Sequence, residues 1–194
     1  MTLRGVTGIV LAGGRSSRFG RDKLAERIDG RTLLTNAIDG VTPASTEILV
    51  IAAPGAALSL PDRATQVDDP VAFEGPLAGV AAGLRAAHES IVLVVGGDMP
   101  TLVGAVVESM LVAVETPGVE AVVLEHDGRP RPLPIALRRE PALAAADRLL
   151  AEGERRLRAL TETLETRVIP EQSWRALDPY GMTVRDIDTP ADLE

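Results

Sequence analysis

Short apolar runs without alternation punctuate the chain at 6–12 (VTGIVLA), 48–52, 91–95 (IVLVV) and 121–124. The first and third are bounded by glycines. Such runs predict strands buried on both faces, as in a parallel sheet covered by helices. Helical spacing fills the intervals. Residues 32–41 place Leu33, Leu34, Ala37, Ile38 and Val41 on one stripe, and 76–88 place Leu77, Val80, Ala81 and Leu84 on another after a Gly-Pro entry. Residues 101–115 carry Val103, Val106, Val107, Met110 and Val114, and two further helices are predicted at 140–150 and 154–165.

Strands alternating with helices imply βαβ units in one α/β domain over 1–194 with a mostly parallel sheet. The segment 129–139, with Pro130, Pro132 and Pro134, reads as an edge strand, because proline cannot donate to a central ladder. Residues 53–74 lack periodicity and are expected to line a site.

Composition narrows the function. The formal charge of −8 disfavours nucleic acid and anionic membranes as partners. No apolar run approaches the ~18–20 residues needed to cross a bilayer. The start of the sequence does not read as a signal peptide, so a soluble cytoplasmic protein is expected. With no Cys, disulfides, thiolate metal sites and a Cys nucleophile are excluded, and two His make a zinc site improbable. Of the 20 basic residues, 19 are Arg; the one Lys, Lys23, follows a glycine-rich loop.

Two segments leave the carboxyl ends of predicted buried strands, where open parallel sheets bind ligands, and should share one rim. The first is LAGGRSSRFGRDK, residues 11–23. Gly13, Gly14 and Gly20 allow backbone N–H groups to face an anion, and Arg15, Arg18, Arg21 and Lys23 supply charge for a polyphosphate. It is neither a Walker A loop nor the dinucleotide fingerprint. A glycine turn with solvated arginines is the plainer reading. The second segment is GGDMP, residues 96–100. Asp98 there is placed either to hold Mg²⁺ against phosphate oxygens or to cap the following helix.

Together these segments resemble nucleotidyltransferases of the molybdenum cofactor guanylyltransferase type. The N-terminal LAGGRSSRFGRDK is followed in that family's order by GPLAG (75–79), the Asp-x-Pro at 98–100, DGRPRPL (127–133), GERR (153–156) and DIDTPADL (186–193). The resemblance implies a Rossmann-like three-layer sandwich with helices on both faces of the sheet. It implies transfer of GMP from GTP to the phosphate of molybdopterin, or of its molybdenum-loaded form, with release of pyrophosphate. Leu11, Ala12, Gly13 and Gly14 would contact the nucleotide, with Lys23 near the phosphates and Asp98 on Mg²⁺ and nucleotide. The family's aspartate upstream of GPLAG falls on Asp68 or Asp69, of which Asp69 is preferred. Second-substrate contacts would come from Arg131, Arg155, Arg156, Asp186 and Asp188. The family leaves room for transient contact with proteins that mature molybdoenzymes.

The chain departs from the family where Asp186 and Asp188 replace frequent Asn, where Ala52-Ala53 replaces an Asn, and where Arg131 takes a position often held by His. The chemistry is independently reasonable. Attack of one phosphate on another needs charge neutralisation and in-line positioning, roles assigned to Arg18, Lys23 and Asp98.

Blander readings apply elsewhere. His88 reads as a surface or helix-terminal residue and His126 as exposed beside the Asp127-Gly128 turn. Ser16 and Ser17 have no evident His partner for a hydrolytic triad. Arg155, Arg156 and Arg158 fit a solvated helix face as well as a phosphate site. Trp174 and Tyr180 read as packing residues on a loop that could reach the second substrate. Three rival functions stay open: a nucleotidyltransferase using CTP or another phosphorylated acceptor, a non-catalytic GTP-binding cofactor chaperone, and a phosphatase-like site at Asp98.

Overall fold

The computed structural model describes residues 5–13, 23–28, 30–69, 75–187, 189 and 192. Gly14, Arg15, Arg18, Arg21 and Asp188 lie outside the described residues.

Seven strands form one sheet: β1 (Val6–Leu11), β4 (Glu47–Ala52), β5 (Thr65–Asp68), β6 (Ile91–Gly96), β7 (Ala121–His126), β8 (Arg129–Arg138) and β9 (Thr166–Ile169). A separate two-stranded ladder joins β2 (Arg27–Ile28) and β3 (Arg31–Thr32). The sheet order is β5-β4-β1-β6-β8-β7-β9. Within this sheet, among the described residues, every pairing is parallel except the two made by β8. From β1 the chain moves outward to β4 and β5, then returns to place β6 on the other side of β1. The strand order therefore reverses between β1 and β6, the kind of crevice where open α/β sheets bind ligands.

The unbroken apolar runs have a simple cause. Successive side chains point to opposite faces, and both faces are covered. Val10, Val50, Leu93, Val95 and Val122 pack toward α1 (Leu33–Val41), α3 (Gly104–Val114) and α6 (Glu171–Arg175). Ile9, Leu49, Ile51, Val92, Val94 and Val123 pack toward α2 (Pro76–Ala86), α4 (Arg139–Ala151) and α5 (Leu157–Thr163). This is the expected three-layer sandwich. No helix among the described residues is long and apolar enough to cross a membrane.

Local chemistry sets the element ends. Thr32 caps α1 by accepting the Thr35 N–H at 3.1 Å. α5 begins at Leu157, three residues later than its periodicity predicts. Gly153 takes φ +87°, and the Glu154 carboxylate accepts the N–H groups of Arg155 and Arg156 at 2.8 and 2.9 Å, which makes a turn of GERR. The Arg156 guanidinium also binds Glu154, and these contacts lower its carboxyl pKa from 4.5 to about 2.

One expectation fails. β8 is not an edge strand but lies between β6 and β7. Its pairing with β6 runs only from Ile135 to Arg138, so Pro130, Pro132 and Pro134 all fall past the last β6 partner. There the β7 register is also irregular, between Val123 and Glu125. The prolines thus escape the β6 ladder within a central strand, and only Pro130 has a partner, Glu125 of β7. The aperiodic 53–74 segment contains an edge strand, β5, too short and too polar to stand out.

α2 lies against the sheet at Gly83, where an added Cβ would come within 2.7 Å of Ile9 Cδ1 and 3.2 Å of Ile51 Cδ1. Gly83→Ala should destabilise the fold, because overpacking costing about 1–3 kcal/mol outweighs about 1 kcal/mol of helix propensity. Gly104→Ala, whose Cβ meets no atom of the described residues within 4 Å, should stabilise it by up to about 1 kcal/mol. Denaturant midpoints check both signs. For the GERR turn, Arg156→Ala should raise the Glu154 pKa measured by carboxyl NMR, while the two backbone N–H donors keep it below 4.5. A depressed carboxylate stabilises the fold above its unfolded pKa and ceases to do so as pH falls through about 2.

Candidate active site

The carboxyl ends of β1, β4 and β6 are held level by hydrogen bonds that continue past the strands. Gly97 donates its N–H to the Leu11 carbonyl at 2.9 Å, Ala12 to Ile51 at 2.8 Å, and Asp69 to Ala52 at 2.8 Å. These bonds gather Leu11, Ala12, Gly13, Asp69 and Asp98 on one rim. A Cβ on Gly13 would meet no atom of the described residues within 4 Å.

Lys23 enters from a short 3₁₀ turn, Lys23–Ala25. Its Nζ donates to Asp98 Oδ2 at 2.9 Å, with 12% of the lysine side chain and 33% of the aspartate exposed. The two residues singled out from opposite parts of the sequence are therefore in direct contact at the β1/β6 crevice. Asp98 does not cap the following helix. α3 begins only at Gly104, with Val103 at its N-cap and no side-chain cap.

The double glycine before Asp98 has a steric role that the sequence reading did not find. A Cβ on Gly96 would run into Asp98 Oδ1, and one on Gly97 would lie 3.1 Å from the Leu11 carbonyl. Gly96 makes room for the carboxylate, and Gly97 lets the backbone pass β1. The signal was the GGD string itself, which gives the residues but not the direction of the aspartate.

Of the two neighbouring aspartates, Asp68 is exposed and its Oδ1 accepts from Gln66. Asp69 turns inward, its Oδ2 3.8 Å from the Cβ position of Gly79 on α2, which lies 3.5 Å from Leu11 Cδ2. The structure thus places Asp69 by the nucleotide-loop candidates.

On the other side of Asp98, Arg131 at the start of β8 pairs with Asp186 at 3.2 Å and donates to the Val184 carbonyl at 3.4 Å. The Ile187 N–H donates to the Asp98 carbonyl at 3.0 Å, so this pair adjoins the Asp98 loop. Arg155 and Arg156 are placed differently. The Arg155 carbonyl accepts the Leu77 N–H at the start of α2, and its guanidinium donates to the carbonyls of Leu150 and Glu154. Arg156 is held by Glu154, whereas Arg158, on α5, pairs with Glu162. Arg155 and Arg156 belong to a turn, not to a helix face.

The histidines stand apart. His88, 86% exposed, contacts Glu47 at 2.6 Å where β4 begins, the end of the sheet opposite the rim. Burial raises the Glu47 pKa, but its bonds to Thr7 and His88 outweigh that and lower it overall. His126 is half-buried, not exposed: its Nδ1 lies 3.0 Å from Glu171, and its ring meets Trp174 edge-on. His126, Asp127 and Glu171 offer ligand atoms within 4.8 Å of one another. The Glu171 carboxylate, however, already accepts from the Asp127 N–H and pairs with Arg175, so the group braces the β7–β8 turn against α6. Trp174 is fully buried, as expected of a packing residue, with its Nε1 donating to the Glu125 carbonyl at 2.7 Å. Tyr180 is not a packing residue. It is 88% exposed, on a turn held from inside by the buried Asp178.

Known proteins share this chain's sequence and fold. The sequence model of the MobA-like NTP transferase domain matches residues 8–168. A protein of Chloroflexus aggregans named probable molybdenum cofactor guanylyltransferase is 34% identical over 97% of this chain and 92% of its own length. The molybdenum cofactor guanylyltransferase of Desulfosudis oleivorans is 32% identical over 97% and 93%. The solved structure of molybdopterin-guanine dinucleotide biosynthesis protein A from Archaeoglobus fulgidus superposes with a TM-score of 0.81 at 26% identity, covering 96% of this chain and 94% of that one. A nucleotidyltransferase domain thus spans most of the sequence, and the chain belongs to the MobA-like NTP transferase family.

Proposed function

We propose that this enzyme transfers GMP from GTP to the terminal phosphate of molybdopterin, forming a new phosphoanhydride and releasing pyrophosphate. The observation that carries the reading is the Lys23–Asp98 contact at the strand-order reversal. An ammonium and a carboxylate brought together at a ligand crevice suit a triphosphate accompanied by a divalent cation. The names of the relatives supply the nucleotide and acceptor.

Asp98 fits Mg²⁺: it offers hard carboxylate oxygens, one third exposed, and such an ion needs only one or two protein carboxylates when phosphates complete its shell. Bound there, Mg²⁺ would neutralise charge on the triphosphate oxygens as the α-phosphorus is attacked. Lys23 then exchanges its carboxylate partner for phosphate oxygens, a point charge suited to that task. Arg18 adds a second cation from the glycine-rich loop. Leu11, Ala12 and Gly13 line the nucleoside side, and the family motif assigns Gly14 to the same contact. Asp69 is an acceptor-only group and suits guanine, whose N1–H and N2–H₂ present adjacent donors. Cytosine lacks that pair, which weighs against the CTP alternative. On the far side of Asp98, Arg131 and Asp186 are assigned to the acceptor phosphate because their pair adjoins the Asp98 loop, and Asp188 is assigned with them from the family motif. Arg155 and Arg156 act through the turn that supports α2.

Pyrophosphate release by purified protein with Mg²⁺, molybdopterin and either GTP or CTP tests the proposal. GTP should be preferred by about 10²-fold or more, since a site built around paired donors rejects an analogue that lacks them. Asp69→Asn should narrow that preference. Asp98→Ala and Lys23→Ala should each lower turnover by about 10²–10³-fold with unchanged circular dichroism. A preference for CTP overturns the guanine assignment, and full turnover by Asp98→Ala overturns the mechanism.

A further inference from the structure

Asp178 is one of three buried polar residues among those described, with Thr7 and Thr183. It lies 80 positions from Asp98 in the sequence, outside every motif used above. A buried carboxylate is costly unless its oxygens are satisfied, and here they are. Oδ1 accepts the Met182 N–H at 3.0 Å and Oδ2 the Thr183 N–H at 2.7 Å. Burial raises its pKa, but these bonds, with those from the Thr183 hydroxyl and the Gly181 N–H, outweigh that and keep it below its ordinary value. The turn is specific to this backbone. Gly181 takes φ +68°, and a Cβ there would lie 2.6 Å from the Arg175 guanidinium.

What this turn holds is the loop that carries Asp98. The Thr183 hydroxyl, fully buried, accepts the Val103 N–H at 3.2 Å, at the start of α3 where no side chain of the helix's own provides a cap. Four residues on, Ile187, 1% exposed, donates its N–H to the Asp98 carbonyl at 3.0 Å. The 98–103 loop is therefore gripped at both ends by one segment, 178–187. The Asp178 carboxylate thus holds Thr183 by its backbone N–H, and the Thr183 hydroxyl in turn holds the Val103 N–H.

We infer that Asp178 is a positioning residue for transfer: through Thr183 and Ile187 it fixes the backbone of Asp98 at the rim, and touches no substrate itself. The inference rests on the role proposed above for Asp98. Catalysis by preorganised charge tolerates little displacement, and a misplacement of about 1 Å can cost about 10²-fold. In the proposed function nucleotide binding draws mainly on Leu11–Gly13 and Asp69, at the ends of other strands. Loosening the strap should therefore lower kcat and leave KM for GTP nearly unchanged.

The test uses the full chain, with pyrophosphate release measured below each variant's melting transition. Asp178→Asn is isosteric but turns an amide donor toward a backbone N–H, and should lower kcat by about 10–10²-fold with KM for GTP unchanged. Thr183→Val should show the same split, and Thr183→Ser, which keeps the hydroxyl, should restore kcat. If Asp178→Asn does not fold, the Thr183 pair carries the test alone. Wild-type kcat in both Asp178→Asn and Thr183→Val, or a loss in Thr183→Val that Ser does not restore, overturns the inference. Asp98→Ala separates the two claims: if it is inactive while the strap variants are normal, only the positioning role falls. If it turns over normally, the proposed mechanism falls and this inference with it.

Discussion

The candidate site depends on an ion pair that does little for stability. Lys23 and Asp98 meet at 2.9 Å, largely screened from water, where the cost of desolvating both charges offsets much of their attraction. Holding them there has costs elsewhere. Gly96 must lack a Cβ, Gly97 must pass close to the Leu11 carbonyl, and a buried acid must secure the loop from behind. An interaction worth so little to the fold, yet supported so extensively, is better understood as a prepared charge arrangement. In the proposed function, lysine and aspartate keep each other in place until triphosphate and cation offer each a stronger partner.

The sheet provides the frame for that arrangement. Because β1 has parallel neighbours on both sides, the ends of β4, β1 and β6 come level, and the register pairs Leu11 with both Ile51 and Gly96. Leu11–Gly13 and Asp69 follow β1 and β5, whereas Arg131 and Asp186 lie toward β8. Asp98 sits between the two groups, which is where the proposed transfer puts the α-phosphorus. The antiparallel β8 makes its side of the rim distinct, since its first residues, not its last, reach it.

Much of this was legible in the sequence because it follows from burial. Strands covered on both faces must be continuously apolar, so β1, β4, β6 and β7 were visible, as were the amphipathic helices between them. β8 was misplaced because proline was weighed over the whole segment, although only Ile135–Arg138 meets β6. β9 and α6 were missed for another reason. Four residues of mixed polarity and five residues around one Trp have no period to detect, and they exist because β7 and α3 leave surface to cover. At the site, Lys23 and Asp98 stood out through composition and a glycine string, and Asp69 was separable from Asp68 only once β5 fixed which way each points. Asp178 gave no signal at all. A lone aspartate before proline reads as a turn, and its burial is a property of the folded chain.

A double-mutant cycle on turnover of GTP with molybdopterin tests the central claim most directly, comparing Lys23→Ala, Asp98→Ala and both together. Groups acting on one triphosphate as a unit lose function together. The double variant should be no slower than the slower single variant, within about threefold. Losses that multiply would mean that the two side chains act independently, and would contradict the account.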